Sequence, residues 1–129
     1  MKLQYARELA MGRSFRNLTV WQRAVEMTLE VYKLTGGFPS SERFGLTNQL
    51  RRASVSVASN IAEGYGRAST GEYFQFLGHA RGSVSEVETQ LVIAKALGFG
   101  KKESLEAAEG LCSEVGRMLR ALMKSLQST

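Results

Sequence analysis

The residues that could perform acid–base or metal chemistry lie at regular intervals on one predicted helix. Glu72, His79 and Glu86 follow one another every seven residues, and His79 is the one histidine of the chain. Seven residues make two helical turns, about 10.5 Å, which is too far for these side chains to bind one metal ion together. A di-iron site in a helical bundle needs two Glu-x-x-His motifs and therefore two histidines. The pattern predicts a solvent-exposed helix face with no metal and no cofactor.

The potential nucleophiles lack neighbours that would activate them. Cys112, the one cysteine, falls on an apolar helix face, where a buried thiol behaves as a small hydrophobic side chain. A serine nucleophile needs an adjacent base, and Ser83 is merely an ordinary helical neighbour of His79, one turn away. The segment "GYGRASTGE" (64–72) is glycine-rich, but it follows a helix and has no phosphate-loop lysine. The sequence therefore predicts a protein that is not an enzyme.

Positive charge is the main compositional signal. The 129-residue chain has a formal net charge of +5, and arginine supplies 11 of its 17 basic residues. This balance is compatible with an anionic partner, although charge alone does not identify one. The length and the hydrophobic content of 43% are typical of one globular domain. No apolar run is long enough for a signal peptide or a membrane span, which predicts a cytoplasmic protein without membrane contact.

The first predicted helix, which ends at Gly36 and Gly37, has two apolar lines along its length. The residues of one line are Leu18, Trp21, Val25, Leu29 and Tyr32. The residues of the other line are Val20, Ala24, Met27, Val31 and Leu34. This apolar surface is wider than one bundle core requires, so a second protein surface is expected to cover part of it.

The segment "LRRASVSVASNIAEGYGRAS" (50–69) is compatible with either a strand or a helix. Residues 53–57 alternate as in a half-buried strand. A helix over residues 44–64 instead gathers an apolar stripe of Leu46, Leu50, Ala53, Val57 and Ile61. Its opposite, polar side consists of Asn48, Arg52, Ser56, Ser59 and Glu63. The helix explains the whole segment and the strand explains a small part of it, so a helix is predicted, with a serine or threonine cap.

Two longer helical segments follow, over residues 69–100 and about 102–126. The first has heptad spacing in Tyr73, Leu77, Ala80, Val84, Val87, Leu91 and Ala94. The second has the same spacing in Leu105, Ala108, Cys112, Val115, Leu119, Leu122 and Leu126. Glycine costs a helix about 1 kcal/mol relative to alanine. Gly78 and Gly82 are therefore predicted to serve a close approach to the small side chains of the preceding helix.

These four segments predict an all-α fold, an antiparallel up-down four-helix bundle over residues 17–126. Residues 1–16 are predicted to form a basic N-terminal arm, and residues 127–129 a frayed end. Some apolar residues would stay exposed to water in a lone bundle, which predicts that the protein forms a homo-oligomer. The predicted oligomer interface consists of Val20, Met27, Val31, Phe74, Val92 and Ile93.

Three stretches of the chain carry a family resemblance. They are "SFRNLTVWQRAVEMTLEVYKLT" (14–35), "FPSSERFGLTNQLRRASVSVASNIAEGYGR" (38–67) and "YFQFLGHARGSVSEVETQL" (73–91). Together they resemble the four-helix-bundle proteins encoded within intervening sequences of bacterial 23S ribosomal RNA genes. The most specific part of this resemblance is "QLRRA" followed by "NIAEG". This resemblance implies a homopentameric ring with no catalytic activity, associated with RNA or the ribosome. A more distant similarity to the accessory variability proteins of diversity-generating retroelements implies a reverse transcriptase as another candidate partner.

The leading hypothesis is a homo-oligomeric bundle that contacts nucleic acid, RNA rather than DNA, through arginine–phosphate contacts. The candidate contact residues are Arg51, Arg52, Arg67, Arg81, Arg13 and Arg16. Arg52 could instead bridge Glu63 or brace Asn60 within the chain. Tyr65 is the one aromatic residue predicted to be exposed for base stacking. The alternative hypothesis is a protein-interaction scaffold or adaptor that makes no direct nucleic-acid contact.

Overall fold

The computed structural model describes residues 14–127. This part of the chain contains four α-helices and two short 3₁₀ helices, joined by turns. The α-helices are α1 (Thr19–Thr35), α2 (Leu46–Tyr65), α3 (Thr70–Leu97) and α4 (Lys102–Gln127). The 3₁₀ helices are Phe15–Asn17 and Ser40–Glu42. No strand occurs in this part of the chain, and residues 53–57 lie inside α2. The predicted all-α fold and the helical interpretation of the ambiguous segment are confirmed.

The helix ends are fixed by hydrogen bonds that the sequence reveals only in part. Ser69 caps α3, because its hydroxyl accepts the backbone N–H of Glu72 at 3.1 Å. Gly98 ends α3 at a φ of 72°, a left-handed conformation in which glycine avoids the clash of a Cβ atom. No serine or threonine caps α2, contrary to the prediction. Instead, Oε1 of Glu42 accepts the N–H of Leu46 at 3.0 Å.

The core is built from the apolar stripe of each helix. Helices α2 and α4 both contact α1 and also α3, so each helix has two principal neighbours. The completely buried side chains of α2, α3 and α4 include Leu50, Val57, Ile61, Leu77, Val87, Leu91, Val115 and Leu119. In α4, Met123 is buried in place of the predicted Leu122, which is half-buried. The arrangement is compatible with the predicted helical bundle.

The two apolar lines of α1 have different surroundings. Val20, Met27 and Val31 are at most 5% exposed and lie in the core of the subunit itself. Their assignment to an oligomer interface is therefore corrected, because they have almost no surface left for a second subunit to contact. The other line faces outward, with Leu29 63% and Tyr32 43% exposed. The apolar surface beyond what the core needs lies on this outer side of α1.

The close approach between α2 and α3 occurs at Gly64. A Cβ atom at this position would lie 2.6 Å from the Cβ of Phe76 and 3.2 Å from the Cδ1 of Tyr73. A Cβ atom at Gly82 would meet nothing within 4 Å, and one at Gly78 would meet only a methionine methyl group of α4, at 3.8 Å. The prediction that Gly78 and Gly82 pack closely on α2 is therefore wrong.

These environments predict opposite effects for the same substitution at two glycines. Gly82→Ala is expected to raise the free energy of unfolding by up to about 1 kcal/mol, because alanine favours a helix interior. Gly64→Ala is expected to lower it by about 1–3 kcal/mol, because the added methyl group collides with Phe76 and Tyr73. Urea denaturation followed by circular dichroism measures both changes. Equal effects at the two positions would contradict the tight contact at Gly64.

Candidate nucleic-acid interface

The exposed side of α2 carries a polar depression centred on Arg52. Two adjoining grooves meet there, and both are lined by Asn48, Arg52 and Ser56. The groove toward α3 has a volume of about 430 Å³. Its other lining residues are Gln49, Ala53, Ser83, Glu86 and Gln90. The groove toward α1 has a volume of about 550 Å³. Its other lining residues are Tyr32, Arg51 and Val55. We call the two together the Arg52 groove.

Arg51 is held against the C-terminal end of α1. Its Nε donates a hydrogen bond to the Thr35 hydroxyl at 2.8 Å, and its guanidinium carbon lies 4.5 Å from the centre of the Tyr32 ring. Thr35 in turn donates to the backbone carbonyl of Val31 at 2.8 Å. No carboxylate of residues 14–127 lies within ion-pair distance of Arg51. The side chain is therefore oriented, while its positive charge is not paired by an acidic residue of this part of the chain.

Arg52 projects from the exposed side of α2 and has no ion pair or side-chain hydrogen bond among the described residues. The alternative contact with Glu63 is not formed, because Oε1 of Glu63 accepts from Nη2 of Arg67 at 3.2 Å. Asn60 is also engaged elsewhere, since its amide nitrogen donates to the backbone carbonyl and the hydroxyl of Ser56 at 2.8 and 3.0 Å. Arg52 thus presents its guanidinium to solvent.

Polar groups form the floor of the groove between α2 and α3. The hydroxyls of Ser56 and Ser83 are hydrogen-bonded to each other at 2.9 Å. Oε1 of Gln90 is buried and accepts no hydrogen bond from residues 14–127. Glu86 adds a carboxylate to the same groove. The Arg52 groove therefore offers a guanidinium, amides, hydroxyls and a carboxylate to a ligand.

Arg67 lies beyond the opposite end of α2. That helix is 20 residues long, which corresponds to about 30 Å. The Arg67 guanidinium pairs with Glu63 and lies 4.6 Å from the centre of the Phe76 ring. These contacts hold the turn between α2 and α3. Arg67 is therefore remote from the Arg52 groove.

Arg81 and Arg16 also lie apart from this groove. Arg81 is exposed on α3, but it is two residues from Ser83 and so about 200° around the helix from the side that meets α2. Arg16 lies in the 3₁₀ helix before α1, with its guanidinium 4.8 Å from the centre of the Phe15 ring. Arg13 is outside the described residues. The candidates among residues 14–127 therefore do not form one continuous patch.

Tyr32, and not Tyr65, is the exposed tyrosine of this region. The sequence predicts Tyr65 at the surface, but it is 4% exposed and its ring centre lies 5.8 Å from that of Tyr73. Tyr32 is 43% exposed and lines the Arg52 groove. The available signal was its position in the apolar line of α1 that contains Leu29, three residues earlier.

Exposed apolar side chains occur on two further surfaces. On α3, Val92 and Ile93 are 63% and 44% exposed, whereas Phe74 is half-buried against the core. Between α1 and α2 lies an apolar groove of about 370 Å³. Its lining residues include Phe15, Trp21, Val25, Leu29, Val55 and Ala58. These two surfaces are candidates for contact with another chain.

The acid–base candidates remain separate in the fold. Glu72, His79 and Glu86 are all exposed on α3. Within residues 14–127, no three histidine, cysteine, aspartate or glutamate side chains are grouped so that they could hold a metal ion. Over the same residues, none of the helices has both the length and the apolar character needed to cross a membrane.

Comparison with known proteins relates the chain to one family. The family described as 23S rRNA-intervening sequence protein matches residues 16–121. A similar solved structure is that of a protein with unknown function from the S23 ribosomal protein family of Bacteroides thetaiotaomicron VPI-5482. The TM-score is 0.73 at 20% sequence identity, over 82% of this chain and 99% of that chain. At this identity the likeness shows the fold alone. No curated protein matches the sequence.

The Cys112 thiol lies inside the bundle. Its sulfur donates to the backbone carbonyl of Val84 at 3.7 Å. Burial, with a smaller contribution from the Glu88 carboxylate, raises the pKa of this thiol from 9.0 to about 12. A thiol that keeps its proton at neutral pH is a poor nucleophile and a poor metal ligand.

This raised pKa predicts the reactivity of Cys112 and a loss of stability in alkali. Native protein is expected to react with a disulfide reagent at about pH 8 far more slowly than protein in urea, because only the thiolate attacks.

The unfolded thiol loses its proton near pH 9.0 and the native thiol near pH 12. The unfolded state therefore binds fewer protons across that interval, and stability falls as the pH rises through it. In urea titrations, Cys112→Ala should lose less stability than wild type between pH 9.0 and about 12. Rapid labelling of the native wild-type protein would contradict the burial of the thiol.

Proposed function

Since the chain belongs to the 23S rRNA-intervening sequence protein family, we propose that it binds structured or ribosomal RNA as a homo-oligomer and catalyses no reaction. The observation that carries this proposal is the adjacent pair Arg51 and Arg52. Neither guanidinium has a carboxylate partner among residues 14–127, and both line a polar groove. Two cations without carboxylate partners in a groove of this kind favour an anionic ligand.

Arginine–phosphate contacts account for how such binding would work. The planar guanidinium presents N–H groups in a fork that matches two phosphate oxygens. The net charge of +5 per chain is repeated in an oligomer, which raises the positive potential around it. Neutralising RNA phosphates releases bound counterions, so affinity falls steeply as salt is added and depends little on base sequence.

We further infer that consecutive helices run antiparallel and that the subunits close into a ring. The contact between Tyr65, at the end of α2, and Tyr73, near the start of α3, supports the antiparallel order. Exposed apolar residues on two different helices, Leu29 on α1 and Val92 on α3, support a contact between unlike surfaces. Contacts of that type close into rings when the rotation between subunits allows it. The family resemblance implies five subunits.

A second candidate function is a protein-interaction scaffold. The apolar groove between α1 and α2 favours it, because Trp21 and the exposed Leu29 line that groove. Contiguous exposed apolar surface is typical of protein contacts, whereas RNA contacts are mainly charged and polar. The partner in this alternative is a reverse transcriptase or a ribosomal component, and the positive charge serves solubility or an acidic protein.

The salt dependence of RNA binding tests the leading proposal. In filter binding with a ribosomal RNA hairpin, Arg52→Glu is expected to weaken binding at every salt concentration. It is also expected to reduce the slope of log affinity against log salt by about one for each phosphate that the variant no longer neutralises. Arg52 is preferred to Arg51 for this test because Arg51 also contacts Thr35 and Tyr32.

Arg81→Glu is the matched control, since it makes the same charge change at an exposed position outside the groove. A larger decrease in affinity for Arg52→Glu than for Arg81→Glu supports binding at the Arg52 groove. Equal decreases would assign binding to overall charge, and a wild-type protein with no affinity at low salt would remove the RNA-binding proposal.

Light scattering tests the assembly. Wild-type protein is expected to have a mass several times the 14.2 kDa of one chain. Val92→Asp combined with Ile93→Asp is expected to shift the mass toward one chain, because an interface would bury two carboxylates without partners. Ala107→Asp adds a charge at an exposed position of α4 and should leave the mass unchanged. A wild-type mass of 14.2 kDa would exclude the ring.

A further inference from the structure

Tyr32 and Arg51 form a partly exposed stacked pair, which we call the platform, at the α1 edge of the Arg52 groove. The Tyr32 ring is 43% exposed, and the Arg51 guanidinium carbon lies 4.5 Å from the ring centre. No other aromatic ring of residues 14–127 contacts Tyr32. Proteins that bind single-stranded RNA stack bases on exposed aromatic rings and on guanidinium planes. The platform therefore has the chemistry of a base-stacking site.

The platform is oriented before any ligand is present. Arg51 uses its Nε for the hydrogen bond to Thr35, which leaves the two terminal amino groups of the guanidinium free of hydrogen bonds within the described chain. Thr35 is 3% exposed and is itself bonded to the backbone of α1. A side chain that is already ordered loses less conformational entropy when a ligand binds.

The remaining groups of the groove favour one nucleotide over a regular duplex. The Arg52 guanidinium and the Asn48 amide lie beside the platform. Glu86 lines the far side of the same depression, where its negative charge opposes a continuous row of phosphates such as a duplex presents. A single phosphate at Arg52 avoids that repulsion, and the Asn48 amide remains free to meet the edge of a base.

We propose that the Arg52 groove binds one unpaired RNA nucleotide, with its base stacked on Tyr32 and its phosphate at Arg52. This site rests on the proposed RNA binding and specifies its ligand as a looped-out or single-stranded nucleotide. A base within an A-form duplex is stacked and paired, so its ring cannot reach a side chain on the protein surface. The groove on the Tyr32 side, at about 550 Å³, falls in the range of about 300–1,000 Å³ typical of small-ligand sites.

Two RNAs of equal length and charge separate this site from simple charge attraction. One is a hairpin with an unpaired loop, and the other is a blunt-ended duplex without a loop. In fluorescence anisotropy, wild-type protein is expected to bind the hairpin roughly tenfold more tightly, the effect of stacking one base. Tyr32→Leu is expected to lose this preference and keep the affinity for the duplex. Tyr32→Phe retains the ring, lacks only the hydroxyl, and is expected to behave as wild type.

The possible outcomes test the nucleotide site separately from the RNA-binding proposal on which it rests. Equal affinities of wild-type protein for the two RNAs, or an unchanged preference in Tyr32→Leu, would overturn the nucleotide site and leave RNA binding standing. Absence of binding to both RNAs would overturn the proposed function as well. Photocrosslinking tests the wild-type protein directly. A hairpin with 5-bromouridine in its loop should crosslink to the tryptic peptide 24–33, which contains Tyr32, and crosslinks confined to other peptides would overturn the site.

Discussion

Burial of the apolar stripe of α2 against its neighbours determines where the candidate functional side chains can lie. Leu50, Val57 and Ile61 have 0% exposure. A helix repeats its faces every 3.6 residues, so packing these positions inward directs Arg52 and its polar neighbours to the opposite side. The Arg52 groove is therefore a result of core packing, and it needs no dedicated loop or insertion to form. The neighbouring helices supply its two walls and part of its floor.

Much of this fold follows from the sequence because burial and helix periodicity decide it together. The stripes of α2 and α3 were predictable, since each has one line of large apolar residues. In α1, two lines satisfy the same spacing, and the pattern gives no reason to bury Met27 completely while leaving Leu29 63% exposed. That choice depends on how α1 is rotated against α2 and α4. The rotation of α1 about its axis is set by the side chains of α2 and α4 that pack against it. The periodicity of α1 itself carries no information about those side chains.

The candidate site was predictable in its residue types and less so in its geometry. Arg51 and Arg52 are adjacent in sequence, but one is bound to Thr35 and stacked on Tyr32, whereas the other faces solvent. This difference arises from a contact between residues 16 positions apart, which no local motif reports. The glycine-rich segment after α2 coincides with the end of that helix at Tyr65. It did not predict that Tyr65 folds back onto the core, because a turn specifies the backbone path alone.

Ser56 and Ser83 place a polar pair at the contact between α2 and α3, and Ser83 is only 7% exposed. Sliding one helix along the other by a turn, about 5.4 Å, would separate the two hydroxyls. A buried hydroxyl such as that of Ser83 costs about 1–3 kcal/mol when it is left unsatisfied. The hydrogen bond between Ser56 and Ser83 therefore helps to fix the position of α2 along α3. A rearrangement that kept this hydrogen bond would move α2 and α3 together.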